Sequence, residues 1–459
     1  MPSVKTSPIP GLLVVELDVH GDDRGWFKEN WQRQKMVHLG LPDFGPVQNN
    51  VSFNGSTGVT RGIHAEPWDK FISVATGRVF GAWVDLREGP SFGTVFTHEI
   101  GPKVAIFVPR GVGNSYQVLE DDTAYSYLVN AHWRPDAGYT ELHLGDATAA
   151  IKWPIPLDDP RVQMSAKDAN NPDLSEVTPF APAPALVLGA GGQLGSALVE
   201  SLPNAIGLTR TDLDLTDTEA VAGFDFSPYR VVINAAAYTA VDAAETDRAR
   251  CWAANASAPG ALAKASVQHG FTLVHFSSDY VYDGAVDVHT ENEPLAPLGV
   301  YGQSKAAGDL AVATAARHYI IRTSWVIGSG HNFVATMARL AKSGVSPAVV
   351  SDQVGRLTFT SDLARVTRHL LDSQAPFGTY HVTGAGKAAS WADIARAVFA
   401  ATGRDASDVS DQSTADYSAG KLVSPRPASS VLAMDKLEST GFTMPDQWES
   451  LAAYLHDHL

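Results

Sequence analysis

The stretch NPDLSEVTPFAPAP, residues 171–184, constrains the fold most, because it carries four prolines and no periodic run of apolar residues. Proline fixes φ and removes a backbone donor, so such a segment reads as a semi-extended linker. The texture of the chain differs on its two sides. Before it, apolar residues come in short alternating runs; after it, they come as short continuous runs followed by stretches with helical spacing. A chain of 459 residues is also longer than one core usually supports. Two domains are therefore expected, residues 1–170 and 185–459, joined by the linker 171–184.

In the first half, KFISVATGRVFGAWVDL, GTVFTHEIG, VAIFVPRG, SYQVLE and TAYSYLVNAHW are separated by Gly, Pro and Asp turns. That rhythm predicts an all-β sandwich or closed barrel. In the second half, ALVLG, RVVINAAA, FTLVHFSS and YIIRTSW have the composition of strands buried on both faces. Between them, QLGSALVESL, APGALAKASVQHG and SKAAGDLAVATAA have the spacing of amphipathic helices. The alternation predicts a doubly wound α/β sheet of the Rossmann kind.

The formal net charge is -16 and lysines and arginines are not clustered, which argues against a nucleic acid or an anionic membrane as partner. Small molecules are the expected partners. A single cysteine, Cys251, excludes an internal disulfide framework and fits a reducing compartment, so a cytoplasmic location is expected. The first apolar run is short and broken by Glu16 and Asp18, and no other run is long enough to span a bilayer.

Two local patterns carry chemistry. The first predicted strand of the second half runs into GAGGQLG, residues 189–195, which opens a helix. Gly189, Gly192 and Gly195, with Gln193 and Leu194 between them, allow a tight turn and close approach of a dinucleotide's pyrophosphate to the helix N-terminus. Arg210 follows the next short strand, where many NAD-binding proteins have an acidic residue. An arginine there pairs with a 2′-phosphate, which favours NADPH over NADH.

The second pattern is VYGQSK, residues 300–305, which stacks Tyr301 and Lys305 one turn apart on a helix. A lysine ammonium beside a phenol is expected to lower the tyrosine pKa and suit it to proton transfer, with Ser278 polarising the same carbonyl.

Taken in order, GAGGQLG, VVINAAAYTAVDAAE, FSSDYVYDG, VYGQSK, RTSWVIG, DQVGRLTFT and SPRPASSVL resemble dTDP-4-dehydrorhamnose reductase, an extended short-chain dehydrogenase, over residues 185–459. The resemblance implies hydride transfer from a nicotinamide to the C4 ketone of a dTDP-linked 6-deoxy sugar. It implies Tyr301 as proton donor, Lys305 as its support and Ser278 as second donor to the carbonyl, in place of the family's usual threonine. It also implies that Ala235, Ala236, Ala237 and Asn255 line the cofactor and that Trp325 and Arg426 hold the sugar nucleotide. Asp242, Glu245 and Asp283 are given no role.

GDDRGWFKENW, VQNNVSF, VTRGIHAEPWDK and SAKDANNP resemble, in order, dTDP-4-dehydrorhamnose 3,5-epimerase, a cupin-like jelly roll and usually a homodimer. The resemblance implies His64 as base, Asp168 as its partner and Lys70 as the group that stabilises the enolate. Arg24, Glu29, Gln48, Asn50 and Arg61 would contact nucleotide or sugar. No metal is expected, since His64 and Glu66 lack a second histidine at ligand spacing. The sequence departs from the family where an acid tyrosine is expected: that position holds Trp133, which cannot donate a proton at neutral pH, and His132, Tyr116 or a water remain as substitutes. Asn114 stands where many members have histidine.

The expected function is therefore a bifunctional epimerase and reductase. Two alternatives stand beside it. In one, an active reductase is fused to a barrel with partial or no epimerase activity. In the other, the protein is a non-catalytic regulatory partner, like the reductase-fold subunit of methionine adenosyltransferase.

Overall fold

The computed structural model describes residues 2–135 and 137–458. The chain divides into two compact units, residues 1–182 and 183–459.

The first unit is built from two antiparallel sheets, as its alternating runs predict. One sheet has the order Ser3–Thr6, Leu13–Glu16, Val104–Val108, Lys70–Thr76, Thr123–Val129, Gln48–Asn54. The other has the order Thr140–Leu142, Thr60–Ala65, Val112–Val118, Val79–Asp85, Val95–Ile100. Their facing sides share one core, in which Ile72, Val74 and Ile106 of the first sheet meet Trp83, Val112 and Val118 of the second. Such a face-to-face arrangement buries every second residue of each strand.

The outer side of the second sheet is covered as well. Ile63, Ala65, Val84 and Leu86 pack there against Leu142, Leu144, Leu174 and Val177. Part of the stretch expected as a linker is thus core: Leu174 and Val177 are buried, and Phe180 exchanges backbone hydrogen bonds with Leu86 and Glu88. The few apolar residues among its prolines find a sheet face to cover.

The second unit contains a six-stranded parallel sheet in the order Ile206–Leu208, Ala185–Leu188, Val231–Asn234, Thr272–Ser278, His318–Thr323, Gly378–His381. The chain starts at Ala185–Leu188, moves to one edge, then returns to build the other side. The connections that follow Ala185–Leu188 and Val231–Asn234 therefore leave in opposite directions, and this switch point is where open α/β sheets form ligand crevices. Two apolar layers cover the sheet, one with Leu198, Leu363 and Val366, the other with Leu262, Ala265 and Val312. A separate cluster around Phe399, Ile394 and Met337 packs the later helices Phe333–Lys342 and Trp391–Ala401. Among the described residues no helix is long and apolar enough to cross a membrane.

Candidate active sites

In the second unit, the glycine loop sits at the switch point. Gly189 has φ +82°, and a Cβ there would lie 2.7 Å from the Ala236 amide. A Cβ on Gly195 would lie 2.1 Å from the Gly189 carbonyl oxygen, so neither position accepts a side chain without moving backbone. The helix Gln193–Ser201 starts at Gly192 with no side-chain cap, which leaves its first amides for a ligand. Beside it, a cavity of about 210 Å³ is lined by Gly189, Arg210, Ala236, Ala237, Tyr238 and Arg250, with leucines forming its apolar wall. Backbone donors at a helix start, an apolar slot and arginines at its rim fit the diphosphate, adenine and ribose phosphate of a nicotinamide dinucleotide.

Some expected cofactor residues serve this loop from behind. Leu194 packs into the core, and the Gln193 side chain donates to the His331 carbonyl at 2.8 Å. Arg210 is exposed and pairs with Asp214 at 3.0 Å. Asn255 is buried and clasps the backbone of Tyr238, accepting from its N–H at 2.9 Å and donating to its carbonyl at 3.0 Å. It thereby fixes the cavity wall.

Ser278 ends the strand Thr272–Ser278, and the helix Val300–Val312 brings the Tyr301 hydroxyl close to it. Ser278 also donates to Asp279 Oδ1 at 2.9 Å. Asp279 is buried, and burial raises its pKa to about 6. Lys305 is 2 % exposed and donates to the Phe276 carbonyl at 2.6 Å; burial lowers its pKa to about 8.

The tyrosine differs from expectation. Burial moves Tyr301 up rather than down, even though the Ser278 hydroxyl pulls the other way. Desolvation, joined by the nearby Asp279 carboxylate, outweighs the Ser278 hydroxyl. The phenol is thus held protonated, the form a proton donor needs.

The elements around Tyr301 are tied by residues that the sequence alone gave no role. Glu245 accepts from the Val300 amide at 2.9 Å and from the Ser424 hydroxyl at 2.8 Å, anchoring the start of the tyrosine helix. Asp242 pairs with Arg426 at 3.0 Å. Arg426 in turn lies near Tyr280, whose ring meets Tyr301 edge to face at 5.7 Å. Arg426 is thus near the reacting groups. Trp325 has φ +46°, unusual for a bulky residue, and its indole stacks on Trp391 at 3.7 Å and lies against Gly355.

In the first unit, His64 Nε2 and Asp168 Oδ1 are 2.8 Å apart. Gly62 makes this pairing possible, because a Cβ there would fall 2.2 Å from Asp168 Oδ1 and 2.6 Å from His64 Nε2. His64 faces Asn114 across the ladder, and Asn114 accepts from the Trp83 indole at 2.9 Å and the Tyr125 hydroxyl at 3.3 Å. Asn114 thus ties the two sheets together beside the histidine.

Lys70 is buried and pairs with Glu66 at 2.7 Å. Arg61 reaches Ser52 at 3.3 Å, and Gln48 donates to Asn50 at 2.9 Å on the strand Gln48–Asn54. Lys70 is thus buried and Gln48 and Asn50 half-buried, whereas Arg61 is exposed.

Arg24 and Glu29 are not brought to His64: Arg24 pairs with Asp22 on the exposed hairpin Val19–Asp22 and Gly25–Lys28, and Glu29 pairs with Lys35. Trp133 is 62 % exposed, and His132 is exposed as well.

Both units match known families. Residues 184–459 match the RmlD substrate binding domain, and residues 6–176 match dTDP-4-dehydrorhamnose 3,5-epimerase. Over 181 residues the chain is 48 % identical to a protein RmlC homolog of Streptococcus pyogenes, covering 38 % of this chain and 90 % of that protein. Over 284 residues it is 36 % identical to the dTDP-4-dehydrorhamnose reductase of Aggregatibacter actinomycetemcomitans, covering 58 % of this chain and 95 % of that one. A solved dTDP-4-dehydrorhamnose reductase from Bacillus anthracis, in complex with NADP, is 32 % identical with a TM-score of 0.57, covering 60 % of this chain and 99 % of that one. The chain therefore belongs to two families at once, with a dTDP-4-dehydrorhamnose 3,5-epimerase domain at residues 6–176 and an RmlD reductase domain at residues 184–459.

Proposed function

We propose that the protein inverts C3 and C5 of dTDP-4-keto-6-deoxyglucose in its first unit and reduces the C4 ketone of the product in its second. The observation that carries this reading is the presence of two reactive groupings in one chain: the His64–Asp168 pair, and Ser278, Tyr301 and Lys305 beside an uncapped glycine-loop helix. The second grouping also argues against a purely regulatory role. On this reading the first unit is a cupin-like jelly roll of about residues 1–170 and the second an extended short-chain dehydrogenase of residues 185–459, with 171–184 between them.

In the first unit, His64 takes a proton from the carbon beside the ketone while Asp168 holds its ring. Lys70 bears on the enolate oxygen, and Arg61, Gln48 and Asn50 hold sugar or nucleotide.

In the second unit, NADPH is the preferred cofactor, because Arg210 and Arg250 line the cavity next to the glycine loop. When bound, it supplies the hydride. Tyr301 gives its proton to the oxygen of the ketone, Ser278 donates to the same oxygen, and Lys305 supports the phenol. Arg426 and Trp325 contact the sugar nucleotide, Arg426 being held for this by Asp242.

The exposed outward residues of the edge strand Gln48–Asn54, Val51 and Phe53, support a homodimer, and the lone buried cysteine supports a cytoplasmic location. Arg24 and Glu29 on the exposed N-terminal segments are then assigned to substrate contact in the dimer.

The test is deuterium uptake by dTDP-4-keto-6-deoxyglucose in heavy water without NADPH. Uptake at C3 and C5, lost in His64→Ala, supports a full epimerase. Uptake at one carbon supports a narrowed one, and no uptake leaves the reductase as sole catalyst.

A further inference from the structure

We infer that Asp279 governs the reduction through Ser278: an ionised Asp279 takes the Ser278 proton for itself, and a protonated Asp279 releases that hydroxyl to the oxygen of the sugar ketone. This deepens the reductase reading above and rests on it. Asp279 is a positioning residue, since it acts on the substrate only through Ser278.

A serine hydroxyl has one proton to give and two lone pairs with which to accept. In the structure the Ser278 proton goes to Asp279 Oδ1 at 2.9 Å, and the Tyr280 amide donates to the Ser278 oxygen at 3.2 Å. No proton is then left for a ketone, although Ser278 ends its strand close to the Tyr301 hydroxyl. The carboxylate that holds this proton is itself poorly provided for. Asp279 is 3 % exposed, and among the described residues its buried Oδ2 has no hydrogen bond. An unpaired oxygen on a buried carboxylate favours the neutral acid.

The groups around Asp279 come from four places in the chain. Ser278 and Tyr280 flank it, and Tyr301 approaches from the helix Val300–Val312. The Ser430 hydroxyl lies near the carboxyl, with Arg426 near Tyr280 on the same late segment. His289, whose backbone bridges to Leu432, is also close and is paired with Glu293 at 3.0 Å. Burial outweighs the Ser430 and Ser278 hydroxyls and the His289 ring, and places the carboxyl at about 6.

With a proton on Oδ1, Asp279 becomes a donor to Ser278. Its O–H and the Tyr280 N–H then occupy both lone pairs of the Ser278 oxygen, and the serine proton is directed at the ketone. No covalent bond changes in this step. The hydride still comes from the nicotinamide and the proton from Tyr301, while Ser278 supplies a second hydrogen bond to the oxygen on which charge develops.

The experiment is the pH dependence of kcat/KM for the pre-epimerised keto sugar at saturating NADPH, between pH 5 and 7, in the full-length protein. The wild type should fall about tenfold over this range, as the protonated fraction of a group near pH 6 does. Asp279→Asn cannot ionise and can donate its amide to Ser278, so its profile should be flat and its rate at pH 7 no lower than wild type. Ser278→Ala should also be flat, at a lower rate, since no hydroxyl remains to be released. A fall that persists in either variant overturns the inference, as does a flat profile in an active wild type. So does a fall removed by His289→Gln but kept in Asp279→Asn, or loss of activity at every pH in Asp279→Asn with NADPH binding intact. Fluorescence titration with NADPH checks that each variant is folded. A wild type that oxidises no NADPH at any pH would instead sink the reductase reading.

Discussion

Replacing Gly195 by alanine should separate the two activities. The new methyl group would start 2.1 Å from the Gly189 carbonyl oxygen, 2.7 Å from its carbon and 2.8 Å from Ala190 Cα. All three are backbone atoms, so no side chain can swing away, and relief requires the loop 189–192 to lift from the helix start until the shortest contact exceeds 3.0 Å. Overpacking of this kind costs about 1–3 kcal/mol. If the displacement falls on the loop that cradles the dinucleotide, that cost becomes a loss of roughly 5- to 150-fold in NADPH affinity. Fluorescence titration with NADPH measures it, and deuterium exchange into the keto sugar should stay at the wild-type level. Gly223→Ala is the control, since a Cβ there meets nothing within 4 Å. Unchanged NADPH binding in Gly195→Ala with an intact melting transition would refute the assignment of the loop.

Asp168→Asn keeps the shape of the partner of His64 but removes its charge. Proton exchange at the sugar should fall by about 100-fold or more while reduction of pre-epimerised sugar is unaffected, as read by mass spectrometry and NADPH absorbance. Lys305 titrates near pH 8 because burial disfavours its charged form, so kcat/KM for reduction should decline as pH rises through about 8. A plateau continuing to the ordinary lysine range would contradict this. The same shift sets a sign for stability: above pH 8 and below 10.5 the unfolded chain holds the proton that the folded chain has lost, so this group makes folding more favourable as pH rises there.

What the sequence alone determined is what depends on neighbours along the chain. The spacing of Gly189, Gly192 and Gly195, and of Tyr301 and Lys305, follows from helix geometry, and the change of texture around residues 171–184 follows from the different periods of strand and helix. The pairing of His64 with Asp168, 104 residues apart, was legible only through the resemblance of the surrounding motifs.

Tertiary structure decided the rest. Glu245 caps the tyrosine helix from 55 residues away and Asp242 holds Arg426 from 184 away, and neither acid has a local signature. Leu174 and Val177 became core because a sheet face was there to be covered. The sign of the Tyr301 shift is opposite to expectation because burial, which sequence spacing does not report, disfavours the phenolate. Contacts within a turn are set by backbone geometry, whereas contacts across sheets and the desolvation they bring exist only once the chain has closed on itself.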